Sequence, residues 1–212
     1  MHKVEPVKRI LEKATGIGLP DATHALARVK AVKPRLMRFR PDGYIPNNPA
    51  LPLLLFPRVV RFERGGDPAA LLEAIFNANG WGRAWRNGIY DFVHYHPRIH
   101  EVLGVARGSA TLRLGGNSNG TTIRVRAGDV VLVPAGVGHE CLRANTDFLV
   151  VGAYPPQGTY SECRGSYQEY ERSRVQVSRV PMPKRNPVFG QSVEAPSISV
   201  QTFPRLRSGT KK

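Results

Sequence analysis

Between residues 88 and 154 apolar and polar residues alternate in short runs, closed by glycine or proline: IYDFVHYH, EVLGVA, SATLRL, TTIRVR, DVVLVP, HECLRA and DFLVVGAY. Period-two alternation places apolar side chains on one face of a strand, and regularly spaced turns predict an all-β barrel or sandwich. Upstream the period changes. Leu71, Leu72, Ile75 and Phe76 fall on one helical face, with Asp67 at the N-cap, Pro68 at the first helical position and Gly80 near the C-cap, so a helix is predicted over 68–79. Residues 36–40 alternate as a first strand, and 51–55 and 58–62 are apolar with Pro52 and Pro57 at edge or bulge positions. Short helices are expected over 7–14, 21–31 and 169–180, and Trp81 and Trp85 in a Gly/Arg-rich loop that covers a pocket or an interface. No internal repeat appears. The expected organisation is an N-terminal extension over 1–35, one barrel domain over 36–180, and a polar tail over 181–212.

Composition narrows this picture. Among 212 residues, 21 Gly and 18 Pro favour a turn-rich fold. No apolar run approaches the ~20 residues that span a bilayer, so no membrane partner is expected. The net charge of +15 raises the question of nucleic acid. Residues 1–40 carry ten Lys/Arg against three acids and residues 181–212 six against one, while the middle is nearly balanced. The excess therefore reads as basic ends that meet polyanions without specificity, not as a dedicated nucleic-acid surface. Cys141 and Cys163 form neither a disulfide framework nor a zinc pattern. With no apolar export segment near the start, a reducing cytoplasm is the expected location.

Chemistry concentrates in two clusters. The first is Gly88-x5-His94-x-His96-x4-Glu101-x6-Gly108. Two histidines two apart on a strand share a face, and a returning strand brings Glu101 beside them. The second is Gly128-x5-Pro134-x-Gly136-x2-His139, whose hairpin, in a closed barrel, supplies a third imidazole. Three imidazoles and one carboxylate make a metal site. His100 competes with Glu101, since adjacent strand residues face opposite sides. Glu101 is preferred because its charge offsets a dication, leaving His100 to face outward or to lie beside a ligand. Tyr90 and Phe92 share the parity of the histidines. Tyr90 is a candidate to bind substrate or to hydrogen-bond a ligand. Cys141 has the parity of His139 and reads as a buried thiol beside the site. Arg143, of the same parity, is the candidate to hold a substrate carboxylate.

The spacing of the two clusters resembles the two motifs of the cupin superfamily (RmlC-like), nine marked positions falling in register. One departs: Arg143 stands where the pattern has Asn. Stretches such as IPNNPALPLLLF, RAGDVVLVPAGVGHECL and RVPMPKRNPVFG resemble the uncharacterised YjlB-like bacterial cupins over about residues 36–190. The resemblance implies a double-stranded β-helix, the jelly-roll barrel, with one or two peripheral helices. It also implies a divalent metal on His94, His96, Glu101 and His139, and a homodimer. The donor set suits Mn, Fe, Ni, Co or, if tetrahedral, Zn. The function expected is metal-dependent chemistry on a small anionic molecule: a dioxygenase, decarboxylase or isomerase, O₂-dependent oxidation among the options. The alternatives are a non-catalytic binding or sensing module, and polyanion binding through the basic ends.

Overall fold

The computed structural model describes residues 20–190. Nine strands form two antiparallel sheets: β1 (Arg35–Met37), β2 (Leu53–Phe56), β3 (Gly82–Asn87), β4 (Glu101–Arg107), β5 (Ser109–Leu114), β6 (Thr121–Arg126), β7 (Val130–Val133), β8 (His139–Ala144) and β9 (Leu149–Tyr154). The larger sheet has the order β1-β2-β7-β4-β9-β3 and the smaller β6-β5-β8. Gly108, at φ 68°, carries the chain from β4 in one sheet to β5 in the other, the left-handed turn that glycine adopts without strain. This is an all-β jelly roll.

The facing sheets enclose Leu103, Val105, Val131, Val133 and Val150 on one side and Ala110, Leu112, Leu114, Val125 and Cys141 on the other. On its outer face the larger sheet is covered by helix α2 (Pro68–Ala78), which follows the short α1 (Ala22–Leu26). Leu72, Ile75 and Phe76 of α2 pack there with Val102, Val130, Val151 and Ala153. Burial on both faces explains why β4 and β9 are apolar almost throughout. The fit is close at Gly104, where a Cβ would lie 2.8 Å from Leu72 and 2.9 Å from Phe76. Asp67 caps α2 as its position predicts, accepting from the Ala69 N–H at 2.9 Å. A third helix, α3 (Tyr167–Gln176), opens on a capping box between Ser166 and Glu169.

Three expectations change. The run before His96 is not a strand; its backbone pairs through the isolated bridges His94–His139 and Tyr95–Cys163 and through the Tyr90 carbonyl, which accepts from the Cys141 N–H at 2.8 Å. The segment after Trp81 is not a loop but β3, an edge strand paired with β9. The compositional ends also reach into the fold. Ala25 and Val188 are fully buried, and the Asn79 side chain and the Trp81 indole donate to the carbonyls of Pro187 and Arg185 at 2.8 and 2.9 Å. The folded body therefore extends beyond 36–180 at both sides. The helix expected over 7–14 lies outside the described residues.

Candidate metal centre

His94 and His139 face each other in an antiparallel bridge: the His94 N–H donates to the His139 carbonyl at 3.2 Å and the His139 N–H to the His94 carbonyl at 2.9 Å. Such a pair projects both side chains to one side. The ring centroids stand 4.1 Å apart. His96 follows two residues on, its carbonyl accepting from the Gly136 N–H at 2.9 Å. The turn over 134–138 that leads to His139 is pinned from elsewhere as well. Asn47 accepts from the Gly138 N–H and donates to the Gly115 carbonyl, and Asn48 donates to the Ala135 carbonyl. Glu101 begins β4 opposite Val133 of β7. Two stretches far apart in sequence, 94–101 and 133–139, thus meet, the second pinned by Asn47 and Asn48.

Each imidazole is oriented by a backbone carbonyl. Nδ1 of His94, His96 and His139 lies 3.3, 2.9 and 3.1 Å from the carbonyl oxygens of Phe92, Ser161 and Val137. A carbonyl only accepts, so Nδ1 carries the proton and Nε2 is left with its lone pair. The three rings offer ligand atoms within 4.8 Å of one another. Glu101 Oε2 lies 3.4 Å from His96 Nε2 and 3.3 Å from His139 Nε2. A cation bonded at ~2.1 Å to each donor needs adjacent donors roughly 3 to 3.4 Å apart, so the three histidines can hold a metal ion, with Glu101 at such a distance from two of them. All four are at most 5% exposed.

Without a cation the charges strain against burial. Burial, reinforced by His139 and His96, pushes His94 down to about 3. For His96 burial works downward too, but the Glu101 charge outweighs it and raises the imidazole. Burial would raise Glu101, yet His96 and His139 hold it well below the usual carboxylate range. A dication satisfies this charge directly.

The centre opens into a cavity of about 560 Å³ walled by Trp85, Ile89, Leu103, Tyr154 and Tyr160, with Arg83 and Tyr90 also on its lining. The Tyr154 phenol lies beside the Glu101 carboxylate, and its hydroxyl accepts from Trp85 Nε1 at 3.0 Å. Tyr90 is half exposed and stacked on Phe92 at 4.7 Å.

The other expected site residues lie apart. Arg143 is exposed and does not line the cavity. Leu112 pairs with Cys141 but Thr111 with Arg143, so Leu142 is an extra residue on β8. That bulge turns Arg143 onto the outer face with Thr111. Cys141 is buried in the core between the sheets, opposite Leu112, where burial pushes the thiol up. His100 does not face solvent. It is 2% exposed, accepts from the Ala135 N–H at 3.0 Å, and lines a small apolar pocket with Trp81, Leu132 and Pro134. Its part is to hold the turn that delivers His139. Trp85 lines the cavity, as the expectation that it covers a pocket allowed. Sequence reasoning missed Arg83, Tyr154 and Tyr160, of which Tyr154 carried a signal, as the last residue of an apolar strand.

Residues 88–151 match the family described as "Cupin domain". The chain is 35% identical over 153 residues to "Uncharacterized protein YjlB" of Bacillus subtilis (strain 168), covering 72% of this chain and 88% of that one. Among solved structures, oxalate decarboxylase of Bacillus subtilis, a protein with Mn(II) centres, aligns at 24% identity and a TM-score of 0.31, over 38% of this chain and 22% of its own. The same enzyme at pH 4.6 aligns with the same figures; this chain spans about a fifth of those structures. With both histidine clusters assembled in a jelly roll and a relative matched over most of its length, the chain belongs to the cupin superfamily, among the YjlB-like cupins.

Proposed function

We propose that this protein is a metal-dependent enzyme that binds a small anionic molecule beside a divalent ion held by His94, His96, Glu101 and His139. The observation that carries the reading is the set of three imidazoles whose Nδ1 atoms are tied to backbone carbonyls, leaving Nε2 to converge with Glu101 at the floor of a cavity. Mn, Fe, Ni or Co suits the set with two further positions in six-coordination, and Zn suits it in four. A dication with one carboxylate keeps a net charge of +1, which favours an anion. When bound, the metal supplies Lewis-acid polarisation or a place for oxygen chemistry.

The chain's own residues do the rest. Tyr154, which accepts from Trp85, stands beside the Glu101 carboxylate. Ile89 and Leu103 make the wall apolar, and Tyr90 and Tyr160 line the way in. The phenol of Tyr160 is pushed up to about 12 by burial and by Glu162, and that of Tyr154 higher still. The centre suits oxidation with O₂, decarboxylation or isomerisation. It equally supports a second reading, a binding or sensing module without turnover.

Reconstitution of the purified chain with Mn, Fe, Ni, Co and Zn, followed by metal analysis, tests the reading. About one metal per chain is expected, lost in His94→Ala and His139→Ala; less than about 0.2 per chain overturns it. Oxygen consumption or product formation across a panel of small acids then supports the enzyme, and saturable binding with no product supports the sensing module.

A further inference from the structure

Arg83 carries a feature that the metal centre does not explain. On β3, Gly82 pairs with Tyr154 and Trp85 with Gly152, so β3 holds one residue more than β9 between these pairs. Arg83 lies within this bulge at φ 52°, a left-handed backbone uncommon for a non-glycine residue. Its side chain lines the cavity of the metal centre. The guanidinium lies 5.5 Å from the Tyr154 ring centroid and donates to the Pro155 carbonyl at 2.8 Å, both neutral partners. The neighbouring Arg86 differs: Asp67 and Glu73, at 3.2 and 3.0 Å, neutralise it. Of the two cations on this wall, Arg83 is the one left to an incoming anion.

Position adds a constraint on length. Tyr154 lies beside Glu101 while its ring faces Arg83, so one tyrosine separates the guanidinium from the metal donors. Trp85, Ile89 and Leu103 line the same cavity. The cavity's 560 Å³ equals the share of roughly twenty waters at about 30 Å³ each, far more than a two-carbon acid fills.

Building on the metal-centre reading, we infer that the cavity selects a two-headed acid. An oxygen-donor head meets the His94, His96, Glu101 and His139 centre. A planar or apolar body lies against Trp85, Ile89 and Leu103. A second, distal carboxylate pairs with Arg83, whose planar fork matches it.

Calorimetric titration of the full chain, loaded with Zn(II), tests this with two probes. 2-Hydroxyterephthalate carries a chelating head and a distal carboxylate; salicylate carries the head alone. The wild-type chain is expected to bind the first at least about tenfold tighter. Arg83→Asn, which keeps a residue tolerant of the left-handed backbone, is expected to erase that preference and leave salicylate within about twofold. Arg83→Lys is expected to retain part of the preference, and Arg143→Gln all of it. Equal binding of the two probes by the wild-type chain, or a preference that survives Arg83→Asn, overturns the inference. Metal content measured on the same samples separates the two claims. If no metal loads, the metal-centre reading fails, and terephthalate against benzoate on the metal-free chain tests Arg83 alone: a preference lost in Arg83→Asn supports the distal subsite, and no preference overturns it.

Discussion

Tyr154 stands between the buried Glu101 and the half-buried Trp85. Its hydroxyl accepts from the Trp85 indole beside the Glu101 carboxylate, and the residue is 7% exposed. Tyr154→Phe removes that bond and leaves the indole N–H without its acceptor. Urea unfolding is expected to show a loss of about 1–3 kcal/mol, and competitive chelation a metal affinity about ten- to a hundredfold lower, the usual effect of losing a group that orients a ligand. Tyr90→Phe, at the half-exposed mouth, is expected to change neither. His100 makes a different claim. Burial holds it down to about 4, against an ordinary ~6.5 in an unfolded chain. The folded ring stays neutral while the unfolded one gains a proton first, so stability is full above ~6.5 and declines as pH falls toward 4. Between pH 7 and pH 5 this amounts to a loss on the order of 2 kcal/mol. Denaturant midpoints of the wild-type chain are expected to fall over that interval more steeply than those of His100→Gln. Parallel slopes would remove His100 from the account.

At the scale of elements, the site depends on how the turn over 134–138 is held. The key is Asn47, 1% exposed and left-handed at φ 50°. It donates to the carbonyls of Arg40 and Gly115, at 2.7 Å each, and accepts from the Gly138 N–H at 3.1 Å. Asn47→Ala loses all three bonds and disfavours the backbone; a loss of about 2–4 kcal/mol is expected in thermal or urea unfolding. Asn47→Gly restores the backbone freedom and is expected to recover only about 0.5–1 kcal/mol of it. Both variants should bind metal more weakly, since the turn delivers His139. The same elements show what a sequence can disclose. The approach of His94, His96 and Glu101 to His139 was legible because glycines and a proline at fixed spacing mark the hairpins that bring them together. The register of β8 was not, because the bulge at Leu142 is set by pairing with β5 and reverses the face of Arg143. Nor was β3, whose Arg83 bulge and polar residues mask the alternation of an edge strand. The histidine run reads as a strand by alternation, yet the carbonyls of Phe92 and Ser161 orient two of its imidazoles without a ladder.

Across the whole molecule, the fold redistributes the charge that composition assigns to the ends. Residues 20–190 hold 23 of the 31 Lys/Arg and 13 of the 16 Asp/Glu, a net +10 of the total +15. Most of the excess therefore rides on the described body. Lys33, Arg35, Arg38 and Arg40 are all exposed along and beside β1, the edge strand of the larger sheet. Like charges clustered on one edge sum into a local field that attracts anions. It follows that Lys33→Gln, Arg35→Gln, Arg38→Gln and Arg40→Gln combined should lower the salt needed to elute the full chain from heparin. The shift should exceed that from the four matching changes at Arg205, Arg207, Lys211 and Lys212, although both sets remove four charges. The salt dependence of binding should flatten in the first set, as fewer counterions are released. A larger shift from the second set would return polyanion binding to the chain's end and leave the β1 edge as a solvated surface.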